Sequence, residues 1–100
     1  MKKEITLEQV QALIAEECDG IKNLLLEKNK SYGNSAVDPK RIFSRVSPVE
    51  QIRVRIDDKL SRLSNVNATD AEYSKAEDTE QDLIGYLILL RVAKRVHEEK

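Results

Sequence analysis

Two aspartates near the end of the chain lie on a helix face that should be buried. Asp78 and Asp82 are four residues apart, so on an α-helix they stack one turn apart. The same face continues through Tyr86, Leu89, Ala93 and Val96. An unpaired buried carboxylate costs several kcal/mol. The pattern therefore predicts a metal ion, a basic side chain or a proton beside these two acids.

A second acidic pair, Asp57 and Asp58, lies in another predicted helix. Two acidic pairs that face each other across a helical bundle would form a divalent-metal site. Oxygen ligands favour Mg²⁺ or Mn²⁺, and such an ion can neutralise a triphosphate and orient an attacking water. The predicted metal ligands are Asp57, Asp58, Asp78 and Asp82, with Asp58 and Asp82 as the predicted catalytic pair and Glu17 as an outside option.

The middle of the chain is basic, with nine Lys or Arg against four Asp or Glu over residues 28–62. Lys28, Lys30, Arg55 and Lys59 could stabilise charge on substrate phosphates. A solvated helix face and a lysine-rich loop would give the same composition. Equally, Asp78 or Asp82 could be satisfied by an interhelical salt bridge to Lys59 or Arg62.

Composition restricts the class of protein. One hundred residues suit a single domain spanning 1–100, and a net charge of −1 argues against a partner that is a nucleic-acid polymer or a membrane surface. The single cysteine, Cys18, excludes an intrachain disulfide. The chain shows no signal peptide and no apolar run long enough to span a bilayer. We therefore expect a cytoplasmic protein.

The first predicted helix runs from about Leu7 to Glu27, with Thr6 as N-cap and Gln9 in the capping-box position. Its apolar stripe consists of Leu7, Val10, Ile14, Cys18, Ile21 and Leu25. Residues 28–47 are predicted to form a long loop with a short helical turn near 40–44. Cys18 is expected in the core, Phe43 as a hydrophobic plug under the loop, and His97 in a solvated tail.

The second predicted helix begins at Ser47 as N-cap and Pro48 as first helical residue, with Glu50 closing a capping box. Its apolar face consists of Val49, Ile52, Ile56, Leu60 and Leu63. The third begins near Asp70 or Ser74 and runs to about Glu98. Over residues 83–90 it is apolar on nearly every side, so it must be surrounded. We therefore expect an all-α fold of three main helices that forms an intersubunit four-helix bundle in a homo-oligomer, either a dimer or a tetramer.

Three segments in order, 27–35, 52–63 and 77–89, carry a family resemblance. They read Glu-Lys-Asn-Lys-Ser-Tyr-Gly-Asn-Ser, Ile-Arg-Val-Arg-Ile-Asp-Asp-Lys-Leu-Ser-Arg-Leu and Glu-Asp-Thr-Glu-Gln-Asp-Leu-Ile-Gly-Tyr-Leu-Ile-Leu. This pattern resembles the phage and bacterial nucleotide-modification-associated domain 1 proteins, which are related to the MazG-like all-α nucleoside triphosphate pyrophosphohydrolases.

The resemblance implies a Mg²⁺-dependent enzyme that cleaves a nucleoside or deoxynucleoside triphosphate to the monophosphate and pyrophosphate. It implies metal-binding roles for the four aspartates, and it assigns Tyr32, Gly33 and Asn34, with the neighbouring lysines, to the substrate loop. Tyr32 could stack on a base or could pack the loop.

The chain departs from the family pattern in its acids. An Asp-Asp pair replaces Glu-Glu, the third acid of that helix is missing, and Thr79 stands where a glutamate would be. Because fewer ligands weaken metal binding, two alternatives stay open. One is a non-catalytic nucleotide-binding protein, for example one that sequesters a signalling nucleotide. The other is a helical protein-interaction module.

Overall fold

The protein consists of three α-helices joined by one long and one short connection. A computed structural model describes the backbone of residues 4–65 and 70–97, and the side chains of residues 4–65 and 79–97. The helices are α1 (Leu7–Tyr32), α2 (Pro48–Ser64) and α3 (Asp70–Val96). The predicted all-α class and the three helices are confirmed, and no strand occurs in the described backbone. The predicted end near Glu98 lies outside the described residues.

Local capping chemistry sets the starts of α1 and α2. Thr6 and Gln9 form a reciprocal capping box, with the Gln9 N–H donating to Thr6 Oγ1 at 3.1 Å. At α2 the Glu50 N–H donates to Ser47 Oγ at 3.1 Å, and Pro48 occupies the first turn. The Glu50 side chain was expected to complete a box, but it pairs with Arg53 instead.

Helix α1 is longer than predicted, because the segment 28–32 contains no helix-breaking residue and continues the helix to Tyr32. It ends at Gly33, which has φ 67° and ψ −152°. This backbone region is accessible essentially only to glycine. The short helical turn expected near residues 40–44 is absent, and this segment is irregular with a bend at residues 42–43.

The core lies between α2 and α3 and includes a residue from the long loop. Val49 and Ile52 of α2 pack with Ala93 of α3 and with Val37. The partly buried Ile56, Tyr86, Leu89 and Leu90 surround this cluster. His97 is exposed, as predicted, and its Nε2 donates to the Val37 carbonyl oxygen at 2.7 Å, so the residue also contacts the loop. The loop is thus anchored over the helix pair.

Helix α1 packs only loosely on the rest of the chain. Ile21 is its one buried residue, and α1 approaches α3 where a Cβ on Gly85 would lie 3.3 Å from Leu25 Cδ2. Cys18 is exposed, so its predicted core position is wrong. Phe43 is 97% exposed and does not plug the loop. Residue type and helical periodicity predict an apolar position but do not determine whether another element covers it.

No helix in the described part of the chain is long and apolar enough to cross a membrane.

Candidate functional site

A cleft of about 510 Å³ opens between the C-terminal half of α1, the long loop, α2 and α3. We call it the central cleft. Its apolar wall includes Ile21, Leu24, Leu25, Ile52 and Leu89. Its polar side chains include Lys28, Asn29, Tyr32, Lys40, Gln51, Arg55, Gln81 and Asp82. Three of these carry a positive charge, and among the described lining residues Asp82 alone carries a negative one.

The acid at the cleft, Asp82, is paired with a lysine from the neighbouring helix. Lys59 Nζ lies 3.3 Å from Asp82 Oδ2, and the two side chains are 14% and 37% exposed. The salt bridge offered as the alternative to a metal ion is therefore formed, with Lys59 as the cation and Asp82 as the acid. Asp82 is only half-buried, which lowers the cost of its charge relative to the buried position expected from sequence.

Tyr86 lies one turn after Asp82 and faces two cations. Arg55 Cζ is 5.9 Å from the centroid of its ring, and Lys59 Nζ is 6.0 Å from it. Both distances are within the range of cation–π attraction. Arg55, Lys59, Asp82 and Tyr86 thus form one cluster where α2 crosses α3 at the edge of the cleft.

Hydrogen bonds within residues 29–38 hold the glycine-containing loop in its conformation. Asn29 Nδ2 donates to the Gly33 carbonyl oxygen at 3.1 Å and to Asn34 Oδ1 at 3.0 Å. The N–H groups of Val37 and Asp38 donate to the Asn34 carbonyl oxygen. Asn34, predicted to bind substrate, therefore serves to shape the loop and does not line the central cleft. Gly33 lines the cleft, and so does Tyr32, which is 74% exposed.

The other predicted acids are less closely associated with the cleft. Asp57 is exposed, and Asp58 is exposed with Oδ2 3.2 Å from Arg62 Nε. Neither lines the cleft, and Glu17 lines a different groove. The side chain of Asp78 lies outside the described residues. Among the side chains that the structure does describe, no three of His, Cys, Asp or Glu form a metal-binding group. A metal ion beside Asp82 would need ligands beyond the side chains that the structure describes.

Of the predicted phosphate-binding residues, Lys28 and Arg55 line the cleft and Lys59 lies beside it, whereas Lys30 does not line it. Sequence reasoning missed Lys40, together with the amides of Asn29, Gln51 and Gln81. Lys40 belongs to the basic segment noted in the sequence, but only the anchoring of Val37 brings this part of the loop to the cleft.

Comparison of the chain with protein-family models, with curated proteins and with solved structures found no match.

Proposed function

We propose that this protein binds a nucleotide in the central cleft, with its phosphate groups on Lys28, Lys40 and Arg55. The main support for this proposal is the charge of the partly apolar cleft, which has three cationic side chains and one described acid. Charge-assisted hydrogen bonds to phosphate are about twice as strong as neutral ones. The exposed ring of Tyr32 offers a surface on which a base can stack.

The size and chemistry of the cleft support a small-molecule ligand. Its volume of about 510 Å³ is within the range of ligand pockets. Apolar side chains form one wall, while amide and cationic side chains converge from three elements. This is the arrangement expected for a ligand with an apolar ring at one end and negative charge at the other.

The first candidate reaction is Mg²⁺-dependent hydrolysis of a nucleoside triphosphate to the monophosphate and pyrophosphate. The sequence resemblance supports it, and Asp82 at the cleft supplies one carboxylate. Asp78 on the preceding turn would be a second ligand, with Asp57 and Asp58 as the predicted acids of α2. A bound Mg²⁺ or Mn²⁺ would supply charge neutralisation and an activated water.

The second candidate is binding without hydrolysis. The Lys59–Asp82 ion pair favours it, because a lysine already neutralises the acid that a metal ion would use. In this case Arg55 and the lysines hold the phosphates, and the ligand stays intact.

We also propose that the protein works as a homo-oligomer in which a second subunit covers α3 and completes a four-helix bundle. The support is the exposed apolar surface of α3, where Ile84, Leu87, Ile88 and Val92 are each between 39% and 45% exposed. A helix of this kind is stable in water when another element covers it.

The test is a thermal-shift screen of nucleoside mono-, di- and triphosphates with Mg²⁺, Mn²⁺ or EDTA, followed by pyrophosphate detection. A ligand that binds the native state raises the melting temperature. Arg55→Gln should abolish the shift, whereas Arg45→Gln, an exposed arginine outside the cleft, should keep it. If no nucleotide raises the melting temperature of the wild-type protein under any condition, the proposal is wrong, and the alternative of a protein-interaction module is favoured.

Asp82→Asn separates the two candidates. A metal-dependent hydrolase should lose pyrophosphate release in this variant, while a binding protein should keep its nucleotide shift in EDTA. Asp19→Asn is the matched control, because Asp19 is an exposed acid whose Oδ1 lies 3.4 Å from Lys22 Nζ and outside the cleft. It should leave both readouts unchanged.

A further inference from the structure

A second groove, of about 780 Å³, runs between α1 and α3 and is mainly apolar. We call it the α1–α3 groove. On α3 its wall is the stripe Ile84, Ile88, Val92 and Val96, and on α1 it is Cys18, Ile21, Leu25 and Leu26. The four α3 side chains are 39–56% exposed. They share one face because successive members are four residues apart.

The N-terminal half of α1 carries an apolar stripe with no cover of its own. Leu7, Val10, Leu13 and Ile14 are between 37% and 69% exposed. This stripe continues along the helix into Ile21 and Leu25, where α1 contacts α3. The C-terminal half of α1 thus forms a wall of the α1–α3 groove. The apolar stripe on its N-terminal half is exposed and could pack into the groove of another copy.

The solvent-accessible surface area of the chain is large enough to include an uncovered interface. This area is 8599 Å². A compact monomer of 11.4 kDa exposes about 5,800 Å². The excess, about 2,800 Å², is enough for an obligate dimer, which buries about 1,000–2,500 Å² per subunit. The radius of gyration, 16.6 Å, likewise exceeds the value of about 13 Å for a compact domain of this length.

We propose that a second copy of this chain covers the α1–α3 groove, with the N-terminal half of its α1 against Ile84, Ile88 and Val92. Twofold symmetry makes each copy fill the groove of the other, which closes the assembly. The lengths agree, since Leu7 to Ile14 spans about 10 Å of helix and Ile84 to Val92 about 12 Å. The inference rests on the oligomer part of the proposed function and not on nucleotide binding.

The test is analytical ultracentrifugation of the full chain and three single variants. Wild type should sediment at twice the chain mass. Ile14→Glu on the α1 stripe and Ile88→Glu in the groove should each weaken the dimer at least about 30-fold, the effect of losing one interface hot spot. Val54→Glu is the matched control, because Val54 is 61% exposed on α2 and lines neither the groove nor the central cleft. It should remain a dimer.

Cys18 provides a second readout, since its thiol is already present in the wild-type chain. It lines the groove and is exposed in the single chain. Its reaction with a thiol reagent should therefore slow as protein concentration rises, and should be fast at all concentrations in any Ile88→Glu protein that retains its helical circular dichroism.

Two results would overturn the assignment. A wild-type protein that is monomeric, with Cys18 reacting at a rate independent of concentration, would rule out the second copy as the occupant. A dimer that survives both Ile14→Glu and Ile88→Glu would place the interface on another face, while the oligomer proposal itself would stand.

Discussion

At the scale of single residues, the pairing of Lys59 with Asp82 is the feature that bears most on function. The carboxylate faces a lysine that is only 14% exposed, and that lysine also approaches the ring of Tyr86. Lys59 therefore contacts both the acid Asp82 and the ring of Tyr86, which Arg55 also faces. If a phosphate binds in the central cleft as proposed, the Lys59 ammonium group beside it is already held in position by Asp82 and Tyr86.

Lys59→Met should weaken nucleotide binding about tenfold or more, because a hydrogen bond to a charged group contributes about 1.5–3 kcal/mol. Isothermal titration of the ligand found in the screen measures this. Lys30→Met is the control, since Lys30 is exposed and lines neither the central cleft nor the α1–α3 groove. Unchanged affinity in Lys59→Met would show that Lys59 serves only to pair Asp82.

Gly33 is the residue at which backbone conformation matters most. Gly33→Ala should lower the free energy of unfolding by about 1–3 kcal/mol, because its φ of 67° and ψ of −152° exclude a Cβ. The melting temperature should fall by about 4–8 °C per kcal/mol. Gly20→Ala should instead raise it, since Gly20 is mid-helix with nothing within 4 Å of an added Cβ. A Gly33→Ala protein as stable as wild type would contradict this conformation.

At the scale of elements, α2 carries the cations Arg55 and Lys59 at the edge of the central cleft. The start of this helix is fixed by a side-chain cap. Ser47 Oγ accepts from the Glu50 N–H, and Pro48 and Val49 are buried directly after it. The cap therefore sets where α2 begins and, through the helix register, where Arg55 and Lys59 project.

Ser47→Ala should lower the free energy of unfolding by about 1 kcal/mol, the usual cost of losing an N-cap. Urea denaturation followed by circular dichroism measures it. Ser61→Ala, at an exposed position inside the same helix, should leave stability equal or slightly higher because alanine has the greater helix propensity. Equal losses in both variants would mean that the cap does not determine the stability of α2.

At the scale of the whole molecule, the described side chains bury little apolar surface. The buried cluster consists of Val37, Val49, Ile52 and Ala93, while α1 presents most of its apolar residues to solvent. A core this small gives marginal stability to a monomer of this length. Stability of the folded chain should therefore depend on association.

If folding is coupled to dimer formation, the melting temperature should rise with protein concentration. Calorimetry across a wide concentration range checks this, with Val54→Glu expected to behave as wild type and Ile88→Glu to lose the dependence. A melting temperature that is independent of concentration in wild type would show that the monomer is stable without a partner.

The sequence by itself determined that there are three helices and where α1 and α2 begin, because these signals are local. It did not predict that α1 continues to Tyr32. The Thr6 capping box, the Ser47–Pro48 start and the 3.6-residue periodicity each depend on neighbours within one or two turns. The same periodicity predicted which face of α2 is apolar, and Val49 and Ile52 are buried as expected. The exposure of Asp58 follows the same periodicity, because this residue lies on the side of α2 opposite Val49 and Ile56.

Only the tertiary structure decided how these elements meet. The choice of Lys59 as the partner of Asp82 depends on the crossing of α2 and α3, and the place of Lys40 in the cleft depends on the anchoring of Val37 in the core. Phe43 and Cys18 were expected inside and lie outside, because burial depends on which surfaces are covered. Such contacts join residues far apart in the chain, and periodicity within one helix carries no information about them.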